Sequence, residues 1–323
     1  MHSLTAGNVT SPKEGRYFII ALVISIPLWA VLTLLTLGFV WIALLFIGIL
    51  LWFTNGLLVA GLKSNAVAVH PHQLSRLDAA FCGVCETLGV ASRPGLYVIQ
   101  SGGLLNAFAT RHSGRHFVVV YSEMLESLGT DSREMKFLLG HEIGHIRRNH
   151  LFRRLLLAPA LFLPLIGAAY SRSCESTCDR FGVLAAGDVG ASLRAMMTLA
   201  GGKEAAQEMD PDHFAEQNRK HRGFFVSLYE LVSGYPTLSR RVKDMWELEP
   251  GRESVAASRN PIAYLFALFM FGGGFGGRGS IMTTVIMIYF AAIFSAIAIP
   301  AVSGAMKKAQ AAQKQSIRPQ ITR

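Results

Sequence analysis

The feature that most constrains this chain is an uncharged, apolar run from Phe18 to Leu62. A bilayer core takes about 20 apolar residues per helix, so the run predicts two membrane-spanning helices joined by a tight turn near Thr36 to Gly38. A secretory signal is the alternative, but its apolar region is only about 7–15 residues long. If both helices span, the N-terminus and the chain after Lys63 lie on the same side of the membrane.

Composition supports a protein that is partly embedded in a membrane. Of the 323 residues, 51% are hydrophobic and 16% are charged, which is too apolar for an ordinary soluble enzyme. The net charge of +10 could indicate nucleic acid as a partner. However, residues 307–323 are basic, contain no acid and follow an apolar segment, as a cytoplasmic flank does under the positive-inside rule. We therefore expect a lipid bilayer, and no nucleic acid, among the partners.

The four cysteines form two close pairs, Cys82 with Cys85 and Cys174 with Cys178. Such pairs do not make a disulfide framework, which favours a reducing compartment. The first pair has the spacing of redox and zinc-knuckle motifs, but no matching second pair accompanies it, so we interpret all four as small packing side chains.

Residues 141–145, with the sequence HEIGH, are predicted to lie on a helix. Asp131 followed three places later by Glu134 is typical of an N-cap with a reciprocal capping acid. Apolar residues then recur at helical spacing through this stretch.

On such a helix, His141 and His145 share one face, because they are four residues apart. With Glu142 beside them they form the H-E-x-x-H pattern of two zinc ligands and a general base. The alternative is a buried helix that carries two histidines by coincidence. Gly140 and Gly144 argue against it, because glycine destabilises a helix interior unless another element must approach closely.

A third protein ligand is needed, and Glu175 is the best candidate. Asp179 follows it by four residues on the next predicted helix, so both share a face. Glu175 could bind zinc while Asp179 accepts the ring N–H of a ligating histidine. The alternative interpretation is that Glu175 and Asp179 lie on a solvent-exposed acidic face of the helix.

Three extended runs precede the HEIGH helix, at 96–100, 105–110 and 116–121, with turn residues between them. They predict a small antiparallel sheet. An edge strand near residues 106–109 would offer free backbone groups to an extended peptide, which makes Asn106, Ala107 and Phe108 candidate substrate-binding residues. The alternative is a purely structural strand.

Later segments complete the predicted layout. Residues 155–169 are apolar but too few for two spans, and a single crossing would separate His145 from Glu175, so we expect a buried or membrane-dipping segment. Pro261 to Phe271 and Ile281 to Val302 are apolar again. The expected division is 1–62 N-terminal tail and two-helix anchor, 63–250 catalytic domain, 251–306 C-terminal membrane segments and 307–323 basic tail.

Five segments occur in one order: Asn106 to Thr110, Val118 to Ser122, His141 to His145, Ser171 to Asp179, and Tyr235 to Val242. Together they resemble the HtpX-like membrane zinc metalloproteases, relatives of the CAAX prenyl endopeptidases, over roughly residues 74–248. The resemblance implies a gluzincin-type domain with one zinc ion, His141, His145 and Glu175 as ligands, and Glu142 as base. It also implies a cytosolic active site at a bacterial inner membrane and substrates drawn from damaged or misfolded membrane proteins.

The chain departs from that family at Tyr235, where histidine is usual. A phenol can donate a hydrogen bond to a developing oxyanion as an imidazole can, although Tyr235 could also be a packing aromatic. Arg241 is either a second oxyanion donor or a structural partner of Asp179. The membrane layout also differs, with one short apolar segment between the histidines and the glutamate. His150 lies five residues past His145 and is expected to point away from the zinc face.

We therefore expect an α+β fold that is mainly helical: a zincin-type catalytic domain with a small antiparallel sheet, and transmembrane helices at both ends. The expected function is that of a membrane-anchored zinc endopeptidase that hydrolyses misfolded or membrane polypeptides. A specific processing protease and a proteolytically silent scaffold or holdase are the alternatives. The intact set of His141, Glu142, His145 and Glu175 argues against a proteolytically silent scaffold, because a scaffold does not need Glu142.

Overall fold

A computed structural model describes residues 4–5, 7–103, 105–220, 223–249 and 258–271, with two isolated positions at 304 and 310. The predicted membrane segment from Ile281 to Val302 and the basic tail therefore lie outside the continuous described ranges. Within those ranges the helices are α1 Pro12–Leu35, α2 Phe39–Asn65, α3 Ser75–Thr87, α4 Ser122–Leu128, α5 Arg133–Arg147, α6 His150–Leu156, α7 Ala158–Phe162, α8 Ile166–Ala186, α9 Val189–Glu208, α10 Pro211–Lys220, α11 Phe224–Val232, α12 Leu238–Trp246 and α13 Pro261–Ala267. The strands are β1 Val67–Ala68, β2 Gly95–Ile99, β3 Ala107–His112 and β4 Arg115–Tyr121.

The apolar run folds into the hairpin α1–α2, with its turn at the predicted place. Gly38 sits in the left-handed region with φ of 85°, which glycine adopts without strain. Both helices are long and apolar enough to cross a membrane, and only 11% and 6% of their most apolar windows are buried. These helices are therefore not core helices of the described fold.

The sheet has the strand order β1-β2-β4-β3 and is mixed rather than antiparallel, so that part of the predicted fold class was wrong. β3 and β4 form an antiparallel hairpin, but β2 pairs with β4 in parallel. After β2 the chain crosses to the far edge of the sheet, where it forms β3. It then returns as β4 between β3 and β2. β3 consequently lies at an edge of the sheet, as expected.

The N-cap of helix α5 lies one residue later than predicted. Ser132, not Asp131, is the N-cap, because its hydroxyl oxygen accepts the N–H of Met135 at 2.9 Å. Glu134 does not close a capping box and instead pairs with Arg194 on α9 at 2.8 Å.

Helices α5 and α8 lie against each other at three glycines. A Cβ on Gly140 would come within 2.5 Å of Cβ of Ala185, and one on Gly182 would come within 2.6 Å of the Phe137 ring. A Cβ on Gly144 would lie 3.1 Å from Cα of Cys178. The predicted close approach at Gly140 and Gly144 is therefore present, and α8 is the element that approaches.

The apolar segment after α5 does not form one long helix. It folds into the short helices α6 and α7 before α8 begins. Leu157, Ala160 and Leu161 are buried against α1 in a cluster with Ala21. Leu151 and Leu155 on α6 are more than 60% exposed. The segment is thus partly buried, and it presents an apolar face beside the N-terminal hairpin.

Candidate metal centre and catalytic cleft

The three predicted zinc ligands converge in the folded chain. Nε2 of His141 lies 3.4 Å from Oε2 of Glu175, and Nε2 of His145 lies 3.7 Å from its other oxygen. One ligand atom from each residue falls within 4.8 Å of the other two. The contact between α5 and α8 therefore brings together two imidazoles and a carboxylate, the donor set of catalytic zinc sites that keep a fourth position open.

Two overlapping groups of described residues are also close enough to hold a metal ion, and both contain His150. They combine it with His145 and Cys178, or with Glu14 and Cys174. Metal binding requires the thiolate, but burial raises the pKa of Cys178 well above its ordinary value and that of Cys174 to about 12. The donor set of His141, His145 and Glu175 fits zinc better.

The ionisation of the ligands is set by burial and by their mutual contacts. Burial lowers the pKa of His145 to about 3, so this imidazole is neutral at neutral pH. Burial alone would lower the pKa of His141, but its contacts with Asp179 and Glu175 raise it to about 9. A metal that binds His141 must therefore displace a proton. Glu175 stays ionised, because the two histidines and Arg241 outweigh the effect of burial on its pKa.

Glu142 lies in the same cleft and is 7% exposed. Burial, the largest influence, raises the pKa of its carboxyl above the ordinary value, and the negative charge of Glu175 acts in the same direction. The backbone N–H of Ala109 on β3 donates to this carboxylate. Glu142 is thus a buried carboxyl with raised proton affinity, the property that a general base near neutral pH requires.

Asp179 and Arg241 lie on the Nδ1 side of His141, opposite the nitrogen that faces Glu175. Oδ1 of Asp179 lies 3.0 Å from Nδ1 of His141, so it can accept the ring N–H and leave Nε2 for a metal. Nε of Arg241 donates to Oδ2 of Asp179 at 2.8 Å. The predicted role of Asp179 matches this geometry. Of the two alternatives for Arg241, the pairing with Asp179 is the one present in the structure.

The cleft has a volume of about 580 Å³, and its wall includes Asn106, Ala107 and Phe108. Tyr121 donates its N–H to the carbonyl oxygen of Asn106, so residues 106, 108 and 110 direct their backbone groups toward β4. The backbone groups of Ala107 and Ala109 then face the free edge. The N–H groups at that edge already have acceptors within the chain: the side-chain oxygen of Asn106 accepts from Ala107 at 2.9 Å, and the carboxylate of Glu142 accepts from Ala109.

Tyr235 lines the same cleft and is 45% exposed. Its backbone is held by the Ser233 hydroxyl, which donates to the Tyr235 carbonyl oxygen at 2.8 Å. The negative charge of Glu175, followed by burial, raises the pKa of the phenol. Tyr235 is therefore a protonated donor near the candidate metal ligands.

His150 lies off the face of His145 that meets Glu175, but sequence reasoning missed its contact with the other side of that ring. It is only 3% exposed, and its Nδ1 lies 3.0 Å from Nδ1 of His145. Helical spacing did not reveal this contact, because α5 ends at Arg147 and Asn149 adopts a left-handed conformation, with φ of 51°, which reverses the chain direction. Asparagine is among the residues that adopt this conformation at helix ends, so Asn149 was the available signal.

Glu14 was also missed. It is fully buried, and its Oε1 lies 3.4 Å from Nε2 of His150. The available signal was its isolation, since Glu14 is the one acidic residue before Asp78 in the sequence. A single acid at the start of an apolar helix requires a partner elsewhere in the fold.

Residues 71–168 match Peptidase family M48. The chain is also 33% identical over 209 residues to the plastoglobule-localized metallopeptidase 48, chloroplastic, of Arabidopsis thaliana. The match covers 56% of this chain and 60% of the relative, so the chain spans about three fifths of the length of that protein. No solved structure matches the chain. Both matches agree with the metallopeptidase resemblance expected from the sequence.

Proposed function

We propose that this chain is a membrane-anchored zinc endopeptidase, and the match of residues 71–168 to Peptidase family M48 supports the proposal. The observation that carries the proposal is the convergence of His141, His145 and Glu175 within 4.8 Å. Glu142 lines the same cleft as these three residues. Their donor types suit zinc, because two neutral imidazoles and one carboxylate leave a position for water or substrate.

Each protein group has a distinct role in the proposed reaction. When bound, zinc would supply a Lewis acid and acidify a water molecule. Glu142 would take a proton from the water that attacks a peptide carbonyl, and would later give that proton to the leaving amine. The raised pKa of Glu142 suits both transfers.

The tetrahedral oxyanion needs a hydrogen-bond donor, and Tyr235 is the candidate. Its raised pKa keeps the phenol protonated at neutral pH. Arg241 is assigned a supporting role instead, because its guanidinium is committed to Asp179. The edge of β3 that pairs with no strand among the described residues would hold the substrate in an extended conformation, with Asn106, Ala107 and Phe108 along the cleft wall.

Membrane anchoring is proposed from the exposed helices α1 and α2. Trp29 on α1 donates to the carbonyl oxygen of Leu156 at 3.0 Å, and Asn55 on α2 donates to that of Arg111 at 2.6 Å. Both contacts join the hairpin to elements that border the cleft. We propose that the cleft opens close to the membrane surface, where unfolded membrane proteins would be accessible as substrates. The bacterial inner membrane stays a prediction, as does a cytoplasmic active site.

The proposal is tested with detergent-purified wild type and Glu142→Gln, each assayed for bound zinc and for cleavage of casein. We expect about one zinc ion in both and cleavage by the wild type alone. Glu134→Gln is the matched control, because it changes a glutamate of the same helix whose Arg194 partner is exposed. It should bind zinc and cleave casein as the wild type does.

Two results would contradict the enzymatic proposal. The first is a wild type that binds no zinc, and the second is equal cleavage by Glu142→Gln. Zinc in both proteins with no cleavage of several unfolded or membrane substrates would favour the processing protease or the silent scaffold. Alkaline carbonate extraction tests the anchor separately, because an integral protein stays in the membrane pellet and a soluble one is released.

A further inference from the structure

A series of side-chain contacts connects His145 to the N-terminal helix α1. Nδ1 of His145 lies 3.0 Å from Nδ1 of His150, and Nε2 of His150 lies 3.4 Å from Oε1 of Glu14. His150 is 3% exposed and Glu14 is fully buried. These contacts lie behind the metal-facing side of His145 and take no part in the proton transfers assigned to Glu142.

One set of proton positions satisfies each of the contacts from His145 through His150 to Glu14. Nε2 of His145 faces Glu175, so Nδ1 is the nitrogen that remains to carry a hydrogen. A histidine that binds a metal through one nitrogen donates the N–H of the other to an acceptor. If Nδ1 of His150 is that acceptor, its hydrogen resides on Nε2, which is the atom that faces Glu14.

Glu14 is held in place by groups from outside its own helix. Arg148 and Arg153 each approach Oε1 of Glu14, at 3.0 and 2.9 Å. The segment before α1 is fixed to α8, where the N–H of Ser11 donates to the Thr177 hydroxyl at 3.2 Å. The carboxylate therefore reaches the metal-binding helices only when the start of α1 is docked.

We propose that His150 and Glu14 are positioning residues that hold His145 in its metal-binding tautomer, so that docking of the N-terminal helix increases the zinc affinity of the site. The inference rests on the proposed zinc site. The chain of contacts extends the support of the metal ligands beyond Asp179, which serves His141 in the same way. Through Glu14, the apolar helix α1 thereby contributes a side chain to the support of the metal ligands.

A purely structural role is the competing explanation, because Glu14 also forms ion pairs with two arginines. Four variants of the full chain in detergent separate the roles. Glu14→Ala removes the final acceptor and His150→Leu removes the acceptor for His145. His150→Gln retains an acceptor, since its amide oxygen can take the N–H of His145. Arg153→Gln removes one ion pair of Glu14, while Arg148 and His150 still contact the same oxygen.

The first readout is the zinc dissociation constant, measured by competition with a chelator. Glu14→Ala and His150→Leu should bind zinc about 10–100-fold more weakly than the wild type. His150→Gln should recover most of the loss, and Arg153→Gln should bind zinc as the wild type does. The absorption spectrum of the cobalt-substituted protein should shift in the two weakened variants, because it reports the ligand geometry at the metal. Melting temperatures of the zinc-free proteins report any structural effect separately.

Wild-type zinc affinity in both Glu14→Ala and His150→Leu would overturn the inference, even if their melting temperatures fall. Equal losses in His150→Gln and His150→Leu would also overturn it. So would two zinc ions in the wild type and one in His150→Leu, because His150 would then be a ligand. If Glu14→Ala does not fold, the comparison of His150→Gln with His150→Leu still decides. A wild type that binds no zinc would refute the proposed function as well.

Discussion

Arg241 and Asp179 form a buried ion pair directly behind the candidate metal ligand His141. Nε of Arg241 donates to one carboxylate oxygen at 2.8 Å, and the other oxygen lies 3.0 Å from Nδ1 of His141. The side chains of Arg241 and Asp179 are 12% and 5% exposed. One carboxylate thus joins α12 to α8 and also fixes the orientation of a histidine on α5.

Arg241→Gln should destabilise the fold strongly, because it removes the guanidinium that donates to both oxygens of the buried Asp179 carboxylate. Loss of one member of a buried pair reduces the free energy of unfolding by about 3–5 kcal/mol. Denaturant unfolding of the zinc-free protein measures this. Arg194→Gln is the control, since its pair with Glu134 is more exposed and should contribute below about 1 kcal/mol. Similar losses in the two variants would contradict a buried, supporting role for Arg241.

Gly140→Ala should separate α5 from α8 and so weaken metal binding. The added Cβ would lie 2.5 Å from Cβ of Ala185 and 3.0 Å from the carbonyl oxygen of Phe181. Overpacking of this kind destabilises by about 1–3 kcal/mol, and any shift of α8 moves Glu175 away from the histidines. Zinc titration and thermal unfolding measure both effects.

The matched control is Gly83→Ala on α3, where nothing lies within 4 Å of the added Cβ. It should raise or maintain stability, because alanine is favoured over glycine inside a helix. Normal zinc affinity in Gly140→Ala would show that the two helices can separate without displacing Glu175.

Local patterns in the sequence predicted much of the architecture. The apolar run Phe18 to Leu62 predicted the hairpin and its turn, and turn residues marked the strands of the sheet. The parallel pairing of β2 with β4 could not be predicted in this way, because strand direction depends on where the connection crosses the sheet. The Asp131 cap failed because Ser132, one residue later, caps the helix instead by accepting the N–H of Met135.

The residues of the candidate site also separate into those that local sequence patterns predict and those that depend on tertiary packing. Those that act within one helix, such as His141 with His145 and Glu175 with Asp179, follow from helical spacing. His150 and Glu14 do not, because their positions depend on a chain reversal at Asn149 and on contacts between distant segments. Sequence patterns report local geometry, whereas the support of a metal ligand is assembled by tertiary packing.

Tyr235→Phe should slow peptide hydrolysis with little effect on KM, because it removes a hydrogen-bond donor needed only in the transition state. Loss of one such donor typically lowers kcat by about 10²–10³-fold. Tyr235→His should retain more activity, since an imidazole can donate to the same oxyanion. Tyr229→Phe on α11 serves as the control, because Tyr229 is 49% exposed and does not line the cleft. Unchanged kcat in Tyr235→Phe would leave Tyr235 as a packing residue.

Glu230 should make the stability of the fold depend on pH in the acid range. Its carboxylate accepts from Asn218 at 2.6 Å and from Arg259 at 2.9 Å. Burial alone would raise the pKa of Glu230, but these partners lower it below the ordinary value. A carboxyl with a lowered folded-state pKa stabilises the fold above its unfolded pKa of about 4.3, and this stabilisation is lost as the pH falls through the folded-state pKa.

Glu230→Gln should therefore be less stable than the wild type at pH 7, by about 1–3 kcal/mol, since it loses hydrogen bonds to a charged group. The difference should shrink as the pH falls below about 4, because the wild-type carboxyl becomes protonated and loses the same interaction. Thermal unfolding of both proteins from pH 7 downward measures the trend. Glu216→Gln on α10 is the control, because its partner Arg219 is largely exposed. A stability difference between Glu230→Gln and wild type that stays constant with pH would mean that the charge of Glu230 does not stabilise this contact between α10, α11 and Arg259.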